Sequence, residues 1–584
     1  MFKRLAFMVL SLVLLLCFAS ASATAQSRTR ELKYTLEPIL DKAGLRFRID
    51  LRYRGDATET TRLVLPNRWG GQSRLYQTVR NLRIISPKGR LSDTDEPHVK
   101  LVNHQPNQML QIQYELVQDF AGNPRGSGGR DYYRPILQPE YFHWIGHGAW
   151  VYPQWDEHET ILVTLEWKNF PRSWTLANSF AVKTKNQRFQ ATLEEFIHAV
   201  FAGGDFRIQS IPVRGKAVYT AVRGSWQFSD PTFAEMVQRI VTVERDFWRD
   251  QRAAYYLVTL LPLESSPGSI NIGGTGLTNS FANFASTNSE IDRFKHLLAH
   301  EYFHNWNSVK LGRLQEPDKL LYWFSEGFTD YYTYLLLLRS GLISLDEYIQ
   351  RYNSWIREYY LSPVRTANNQ RVLQDFWNDD DVHDLPYRRG FLLATNLNAL
   401  IRSYTAGRNS LDDAMRDMFR AAQGRDRLLT TELIGEHIGG YAGRDVLPDI
   451  RRYIDNGETI MPEKNAFGPH IEVEMVGLPL FELGFDLERL LKEKTIAGVV
   501  ESSAAYRAGL RNGQSVVKRS PISVGDATKP VELTIRTAQG DRTIQYYPAT
   551  QKTVRVPQFK FRPGFGDRER AETLKWLGVP ATKS

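Results

Sequence analysis

The segment HLLAHEYFHNW, residues 296–306, carries two histidines four residues apart with a glutamate between them. In a helix, residues i and i+4 share one face, so His300 and His304 can turn both imidazoles toward one ion. Zinc favours neutral imidazole nitrogens and tetrahedral geometry, and a catalytic zinc keeps one position open for water. Glu301 is offset by about 100° from His300 around the helix, where it can serve as general base. The spacing therefore predicts a zinc site with its own base, against the alternative of a helix that merely carries two histidines.

The third ligand is expected from the next helical segment, LLYWFSEGFTDYYTYLLLL, residues 320–338. Glu326 lies there among apolar and aromatic residues, where an unpaired carboxylate is costly and a bound dication removes that cost. The alternative for this residue is a helix cap or a salt-bridged surface acid. Asp330, one turn later, is expected to accept the free N–H of a ligating imidazole.

Three other histidines are predicted to take no part in binding the ion. His296 lies two turns before His304, about 12 Å along the helix axis, and is interpreted as a surface or packing histidine. His143 and His147, in the aromatic stretch 141–155, repeat the four-residue spacing, but two glycines there argue against a helix. A packed or substrate-facing loop or strand is expected instead.

The composition is that of a folded protein with several domains. The chain has 584 residues, too many for one core, so two to four domains are expected. Hydrophobic residues make up 42% and charged residues 24%, which is ordinary for a soluble protein. The net charge is +9, but the basic residues are scattered among acids and form no long run. We therefore predict a mixed, solvated surface and no nucleic-acid partner.

Residues 1–25 are predicted to be a cleaved secretory signal. They have a short basic start, an apolar run and small residues that fit an A-x-A cleavage site at 23–25. A membrane anchor is the alternative, but the apolar run is short for a span of about 20 residues. The only cysteine, Cys17, lies in this segment, so the mature chain would have no disulfide. An exported protein, periplasmic or secreted and without a stable membrane span, is expected.

The rest of the chain is predicted to be a multi-domain α+β protein. Residues 26–185 contain short alternating strands between turn signals, as in a β-sandwich-like domain. Residues 186–462 turn to helical spacing after a few strands, and residues 463–555 are interpreted as short strands around one small helix. Residues 556–584 are expected to be a C-terminal tail with a terminal helix. Helices are expected at 230–250, 290–308, 317–340, 345–360, 387–404 and 410–422.

The blocks HEYFHNWNSVKL and WFSEGFTDYY, with a downstream block that begins YRRGFLLATNL, resemble the M61 peptidases, the glycyl aminopeptidase family of gluzincin metallopeptidases. The resemblance implies a β-rich N-terminal domain, a thermolysin-like α-helical catalytic domain and a C-terminal PDZ domain. It implies one Zn²⁺ per chain, held by His300, His304 and Glu326. It also implies that Glu301 is the general base and that Asp330 orients a ligand.

The resemblance extends to residues around the substrate. Tyr387, at the start of the downstream block, would by similarity donate a hydrogen bond to the developing oxyanion. The alternatives are that His383 is the donor, or that Tyr387 only packs in the core. The segment NIGGTGLTNS is similar to the family's edge strand, which implies substrate binding at Gly273 and Gly274. Relatives usually carry an acid where this chain has Gly276, and that acid pairs with the substrate's α-amine. Strict trimming from the N-terminus is therefore less firmly implied than peptidase chemistry.

The C-terminal region resembles a PDZ domain with departures. SSAAYRAGLRNGQSVV is similar to the PDZ turn and helix, but Gln514 stands where an Asp is common. ELGFDLE, residues 482–488, is similar to the loop that binds a peptide's C-terminal carboxylate through backbone N–H groups. This implies either capture of peptide ends or a structural domain with an inactive groove.

The sequence thus predicts an exported zinc-dependent peptidase that acts on peptide or protein substrates. Aminopeptidase action is implied by the family, and endopeptidase action of the same chemistry is the first alternative. A non-catalytic, peptide-binding scaffold is the second, but the intact Glu301 speaks against it, because a purely structural zinc needs no base.

Overall fold

The computed structural model describes residues 29–126, 130–266, 269–423 and 427–580. The predicted signal segment and its cysteine lie outside these residues. No helix within them combines the length and the apolar character needed to cross a membrane.

Strands predominate in the first half of the described chain, and α-helices predominate between residues 290 and 455. The strands are β1 (Glu31–Asp41), β2 (Gly44–Arg54), β3 (Thr60–Val64), β4 (Val79–Ile84), β5 (Arg90–Asp93), β6 (Val99–Asn103), β7 (Met109–Leu116), β8 (Ile136–Gln138), β9 (Tyr141–Ile145), β10 (Tyr152–Pro153), β11 (Thr160–Trp167), β12 (Thr175–Asn178), β13 (Ala181–Val182), β14 (Asn186–Thr192), β15 (Val200–Gly204), β16 (Arg207–Val213), β17 (Lys216–Val222), β18 (Tyr255–Leu263), β19 (Ile272–Leu277), β20 (Ser280–Ser286), β21 (Arg313–Leu314), β22 (Leu428–Leu429), β23 (Ile471–Phe481), β24 (Val516–Arg519), β25 (Val531–Thr537), β26 (Gly540–Tyr546) and β27 (Ala549–Phe561). The α-helices are α1 (Leu193–Ile197), α2 (Asp230–Trp248), α3 (Asp292–Phe303), α4 (Tyr322–Ser325), α5 (Gly327–Arg339), α6 (Leu345–Leu361), α7 (Asn369–Asp375), α8 (Asp380–Tyr404), α9 (Leu411–Ala422), α10 (Thr431–Ala442), α11 (Leu447–Ile450), α12 (Leu487–Glu493), α13 (Ala504–Arg507) and α14 (Asp567–Trp576).

The N-terminal region is β-rich and built from three sheets. A six-stranded sheet has the order β14, β11, β1, β2, β7, β4, and four-stranded and five-stranded sheets accompany it. Strand β2 alternates buried and solvent-facing side chains, which is the period-two pattern of a half-buried strand. Aromatic side chains such as Phe142, Trp144 and Trp167 stack in the core between the sheets.

This region runs past the predicted boundary at residue 185. Strand β14 pairs with β11 along its whole length, and β15 pairs with β9, so both belong to the N-terminal sheets. The boundary was predicted too early because these short strands lack a strong alternation of apolar and polar residues, so the sequence gives little indication of a strand there. The helical spacing begins only after them. The stretch 141–155 forms β9, a 3-10 turn and β10, so the prediction that it is not an α-helix is confirmed.

A fourth, mixed sheet follows the N-terminal region, and helices pack on it. The sheet has the order β16, β17, β18, β20, β19; β17, β18 and β20 are parallel, and β19 is an antiparallel edge strand. Helices α2 to α10 share one hydrophobic core with it. The protein is thus multi-domain, with a β-rich N-terminal region followed by a largely helical part.

Two predicted helices differ from those observed. The expected helix 317–340 is interrupted at Glu326, where α4 ends and α5 begins. The expected helix 387–404 begins seven residues earlier, because Asp379 caps α8 by accepting hydrogen bonds from the N–H groups of Asp381 and Val382. Pro386 lies inside α8, and a proline at that position favours a later start when the sequence is read alone.

The C-terminal region is joined to the helical part through a long strand pair. β23 pairs with β27, which crosses the predicted boundary between residues 555 and 556. The side chain of Asn353 on α6 holds β27 by hydrogen bonds of 2.7 and 2.8 Å to the carbonyl and N–H of Phe559. Helix α14 follows, and the chain after it bonds back to Arg339, so the predicted tail is a docked segment.

Between β23 and β27 lies a small module with its own core. It contains α12, α13 and the sheet of β24, β25 and β26. After the loop that begins at Glu482, the chain enters helix α12, capped by Asp486, and not a strand. A peptide that adds as a strand beside this loop therefore has no partner strand there among the residues that the structure describes.

One buried acid in the helical part predicts an unusual pH dependence. Glu244 on α2 is fully buried, and neither carboxylate oxygen has a hydrogen-bond partner among the described residues. Burial raises the pKa of Glu244 well above its ordinary value. The folded state therefore keeps a proton that the unfolded chain releases above about pH 4.3. Its contribution to stability is complete below that pH and is lost as the pH rises toward the folded-state pKa.

We expect Glu244→Gln to remove this loss, so that its melting temperature falls less than that of the wild type between about pH 5 and pH 8. The matched control is Glu235→Gln, an exposed acid on the same helix, which should follow the wild-type curve. Parallel melting curves for the wild type and Glu244→Gln would contradict the assignment.

Candidate active site

Helix α3 presents both histidines of the HExxH segment beside the sheet. Its apolar face, including Phe294, Leu298 and Tyr302, is buried in the core. His300 lies in the last turn and is buried, and His304 caps the C-terminus of the helix. Since the opposite face is packed, the rings of both histidines are held on the side that faces α5.

Glu326 stands at the break between α4 and α5, and one side chain holds that break in place. The side-chain nitrogen of Asn307 lies 3.1 and 3.2 Å from the carbonyls of Phe324 and Ser325 and 2.9 Å from the hydroxyl of Thr329. Asn307 is itself fully buried, three residues after His304. This role of Asn307 was not predicted from the sequence. The one signal for it is a polar side chain that lies close to aromatic residues in the chain.

Helix α8 crosses the same break at very close range. A Cβ on Gly327 would lie 2.5 Å from the Cα of Gly390, and a Cβ on Gly390 would lie 1.8 Å from the carbonyl oxygen of Trp323. Only glycine fits at both positions. The close crossing places Tyr387, one turn before Gly390, beside Glu326.

The three predicted ligand atoms form a compact triangle. The Nε2 atoms of His300 and His304 are 3.1 Å apart, and they lie 3.3 and 3.4 Å from one carboxylate oxygen of Glu326. Ligand atoms about 2.0–2.1 Å from a tetrahedral zinc stand about 3.3–3.4 Å from one another. The triangle therefore has the size that a zinc ion requires.

The hydrogen bonds around the histidines fit the same ion. His300 donates from Nδ1 to Asp330 at 2.8 Å, which leaves the lone pair of its Nε2 directed into the triangle. The Nδ1 atom of His304 faces the carbonyl of Asn307 at 3.4 Å, so its Nε2 is directed inward as well. Two inward lone pairs and a carboxylate form an electron-rich donor set that suits Zn²⁺.

Asp330 is buried and binds a second histidine. Its Oδ1 also accepts a hydrogen bond of 3.0 Å from Nε2 of His296. His296, interpreted as a surface or packing histidine, is half-exposed and packs on Tyr334, and its ring in addition contacts the acid that orients His300. The sequence indicates only the distance between His296 and His304 along their helix. It could not indicate the carboxylate of Asp330, which comes from the neighbouring helix.

The electrostatics of the cluster favour a positive charge at its centre. Burial alone would raise the pKa of Glu326, but the neighbouring His304 and His300 hold it well below its usual range. Burial likewise opposes ionisation of His300, and Asp330 and Glu326 overcome this and raise its pKa well above the ordinary value. The two acids and two imidazoles thus stabilise a cation among them.

Glu301 lines a cavity of about 570 Å³ together with the predicted ligand His304. One carboxylate oxygen of Glu301 accepts a hydrogen bond of 3.0 Å from the N–H of Gly276 on the edge strand β19. A Cβ on Gly276 would lie 3.3 Å from that oxygen. A side chain at this position would therefore require the carboxylate of Glu301 to shift by a few tenths of an ångström.

The two glycines predicted to bind substrate lie on β19 and are closely packed. A Cβ on Gly273 would lie 2.7 Å from the hydroxyl of Tyr132, and one on Gly274 would lie 2.5 Å from the ring of Phe281. The hydroxyl of Tyr133 donates to the carbonyl of Gly274 at 2.8 Å. A peptide that pairs with Gly274 through that carbonyl has to displace this hydroxyl.

Tyr387 and His383 both lie on α8 but at different depths. The ring of Tyr387 lies 6.2 Å from the ring of His300, and its hydroxyl is close enough to Glu326 for that carboxylate to raise the pKa of Tyr387. Burial and the nearby carboxylates raise the pKa of Tyr387 far above its ordinary value, so the hydroxyl keeps its proton. His383 packs one turn away against Tyr387 and, at 4.4 Å, against Phe376. Of the two candidate donors, Tyr387 therefore contacts the predicted ligands.

Comparison with known proteins finds one matching family model and solved structures of similar fold. Residues 293–379 match the family model described as M61 glycyl aminopeptidase. No curated protein matches the sequence. The crystal structure of an aminopeptidase N family protein from Idiomarina loihiensis is similar at 15% identity and a TM-score of 0.65, over 94% of this chain and 100% of that one. An M1 zinc metallopeptidase from Deinococcus radiodurans is matched at 15% identity and a TM-score of 0.46, over 75% of this chain and 97% of that one. The chain thus has the overall fold of an aminopeptidase N family protein, and its candidate zinc ligands lie in the segment that matches the M61 glycyl aminopeptidase model.

Proposed function

We propose that the protein is a zinc-dependent peptidase that uses Glu301 as its general base. The observation that carries the proposal is the triangle of His300, His304 and Glu326, with Glu301 lining the adjoining cavity. A bound zinc would supply a Lewis acid that polarises the scissile carbonyl and acidifies water. The matching family model and the shared fold support the same chemistry.

The protein's own groups would perform the proton transfers. Glu301 takes a proton from the attacking water and delivers it to the leaving amine, while the N–H of Gly276 fixes the orientation of its carboxylate. Tyr387 donates a hydrogen bond to the oxyanion that forms on the substrate carbonyl. Asp330 keeps His300 in the tautomer that can bind the metal.

The charge of the cavity favours aminopeptidase action. Three acidic residues line it, Glu194, Glu195 and Glu301, against one lysine, Lys310, which is paired with the buried Asp250 at 3.1 Å. A free α-amine is attracted to such a surface, even though the family's acid on the edge strand is replaced by Gly276. Endopeptidase action of the same chemistry is the alternative.

The experiment that tests the proposal is peptide hydrolysis by the purified protein without residues 1–25. We expect cleavage of peptides with a free N-terminus, loss of cleavage after treatment with a zinc chelator, and recovery when Zn²⁺ is added back. Equal cleavage of N-terminally blocked peptides would exclude aminopeptidase action. Undiminished cleavage by the metal-free protein would exclude the zinc mechanism.

Tyr387→Phe should lower kcat by roughly 100- to 1,000-fold with little change in KM, because the hydroxyl acts on the oxyanion and not on the bound substrate. The measurement is steady-state kinetics on one peptide, with Tyr441→Phe as a control on a tyrosine of α10. A fall in kcat by less than a few-fold would assign Tyr387 to packing alone.

We further propose that the protein is exported and works in the periplasm. The support is the signal-like sequence of residues 1–25 and the lack of cysteine in the remaining chain. Sequencing the N-terminus of protein isolated from the periplasm would test this. Capture of peptide C-termini at the C-terminal module is not part of the proposal, because α12 occupies the position where a pairing strand is needed.

A further inference from the structure

The general base is connected to the N-terminal β-rich region through the edge strand. His198 follows α1, between strands β14 and β15 of the N-terminal sheets, and lines the cavity together with Gly276 and Glu301. The backbone carbonyl of His198 accepts a hydrogen bond of 2.9 Å from the N–H of Thr278, just after β19. One residue of the N-terminal region is therefore tied directly to the strand that holds Glu301.

The ring of His198 is held in a defined orientation. Its Nδ1 lies 3.2 Å from Nε2 of His147, and both rings pack against Trp69, which stacks on His147 at a centroid distance of 5.8 Å. Tyr133, whose hydroxyl donates to the carbonyl of Gly274, packs edge-on against Trp69 at a centroid distance of 5.2 Å. Burial lowers the pKa of His198 and His147, that of His147 to about 3, so both rings are neutral.

The remaining ring nitrogen of His198 faces the edge strand. Since Nδ1 faces His147, Nε2 is the nitrogen left to face the backbone of Gly276, whose proximity partly offsets the lowering of the His198 pKa by burial. In a strand the N–H and carbonyl of one residue point to the same side. The carbonyl of Gly276 therefore lies on the same side of β19 as its N–H, which donates to Glu301, and it is the backbone group that the His198 ring faces.

We propose that His198 is a positioning residue, which through Gly276 holds the carboxylate of Glu301 in the orientation for proton transfer. His147 and Trp69 keep the His198 ring in the tautomer that donates to Gly276. The role is distinct from metal binding, since His198 contacts none of the three predicted ligands in the hydrogen bonds that the structure describes. It rests on the proposed role of Glu301 as the general base.

The test compares His198→Ala with His198→Gln, which keeps a donor and an acceptor, and with His470→Ala as a matched control at the pair of His470 and Glu572. We expect His198→Ala to lower kcat by roughly 10- to 100-fold with KM and zinc content unchanged, because the base is misplaced and the substrate still binds. His198→Gln should recover most of the lost kcat, and His470→Ala should behave as the wild type.

A second readout does not depend on activity. Hydrogen–deuterium exchange of the peptide that covers residues 272–279 should accelerate in His198→Ala and stay at the wild-type rate in His198→Gln and His470→Ala. Unchanged kcat and exchange in His198→Ala would overturn the positioning role, and so would a rise in KM without a fall in kcat. If the wild-type protein hydrolyses no peptide, the proposed function fails, while the exchange comparison still decides whether His198 holds the edge strand.

Discussion

Glu301→Gln is expected to lower kcat for peptide hydrolysis by roughly 100- to 10,000-fold, while the protein keeps one zinc ion per chain. General-base catalysis by a positioned carboxylate contributes about this factor. The amide has almost the same shape, but it cannot take the proton of the attacking water. Steady-state kinetics and metal analysis on the same preparation measure both quantities.

The experiment is designed to show that Glu301→Gln loses activity while it keeps its zinc. Glu301 lies outside the triangle of candidate ligands and bonds to Gly276, so zinc binding should not need it. Glu235→Gln, an exposed acid on α2, should retain full activity. A Glu301→Gln protein that is as active as the wild type would leave the site as a structural metal centre, in agreement with a non-catalytic scaffold.

Glu326→Ala should remove bound zinc and activity together. The carboxylate of Glu326 supplies one of three donor atoms, and the two imidazoles that remain offer too few ligands for tight binding. We expect zinc content to fall from one equivalent to near zero after dialysis, and peptide hydrolysis to fall to background. Metal analysis and a titration with a competing zinc chelator measure this.

Asp330→Asn provides the graded comparison, because Asp330 touches His300 and not the ion. Zinc affinity should fall by about 10- to 100-fold, with activity restored at high zinc concentration. If Glu326→Ala retained stoichiometric zinc, the third ligand would have to come from another residue.

The metal triangle follows closely from the sequence, because local periodicity dictates it. His300 and His304 are four residues apart and therefore share one helix face. Glu326 is an acid in a segment whose other residues are mostly apolar or aromatic and expected to be buried. The geometry in the structure agrees with both arguments. The position of Asp330 one turn beyond Glu326 follows from the same periodicity.

Residues that reach the site from distant parts of the chain were not predictable in this way. His198, His147 and Tyr133 belong to the N-terminal region and meet β19 only through tertiary packing. No pattern in their own segments indicates an association with Glu301, because the contact depends on how two sheets are placed. The start of α8 was not predictable either: the helix is capped by Asp379 and begins about two turns before the predicted start at residue 387.

The sequence predicts a separate C-terminal domain at residues 463–555, and the part between β23 and β27 has a hydrophobic core of its own. The way in which the module is joined to the rest of the chain was not predicted, because the sequence does not show which strands pair with each other. The pairing of β23 with β27 places the module within a hairpin, so the chain leaves the helical part and returns to it.

This return has a consequence for any attempt to isolate the peptidase part. Val556 and Phe559 of β27 are buried in the same core as Tyr352 of α6. A fragment ended after β23 would uncover that apolar surface and leave the side-chain amide of Asn353 without its main-chain partner. Such a shortened protein should aggregate, whereas excision of residues 482–548 alone, with a short turn joining the two strands, should leave a soluble, folded enzyme.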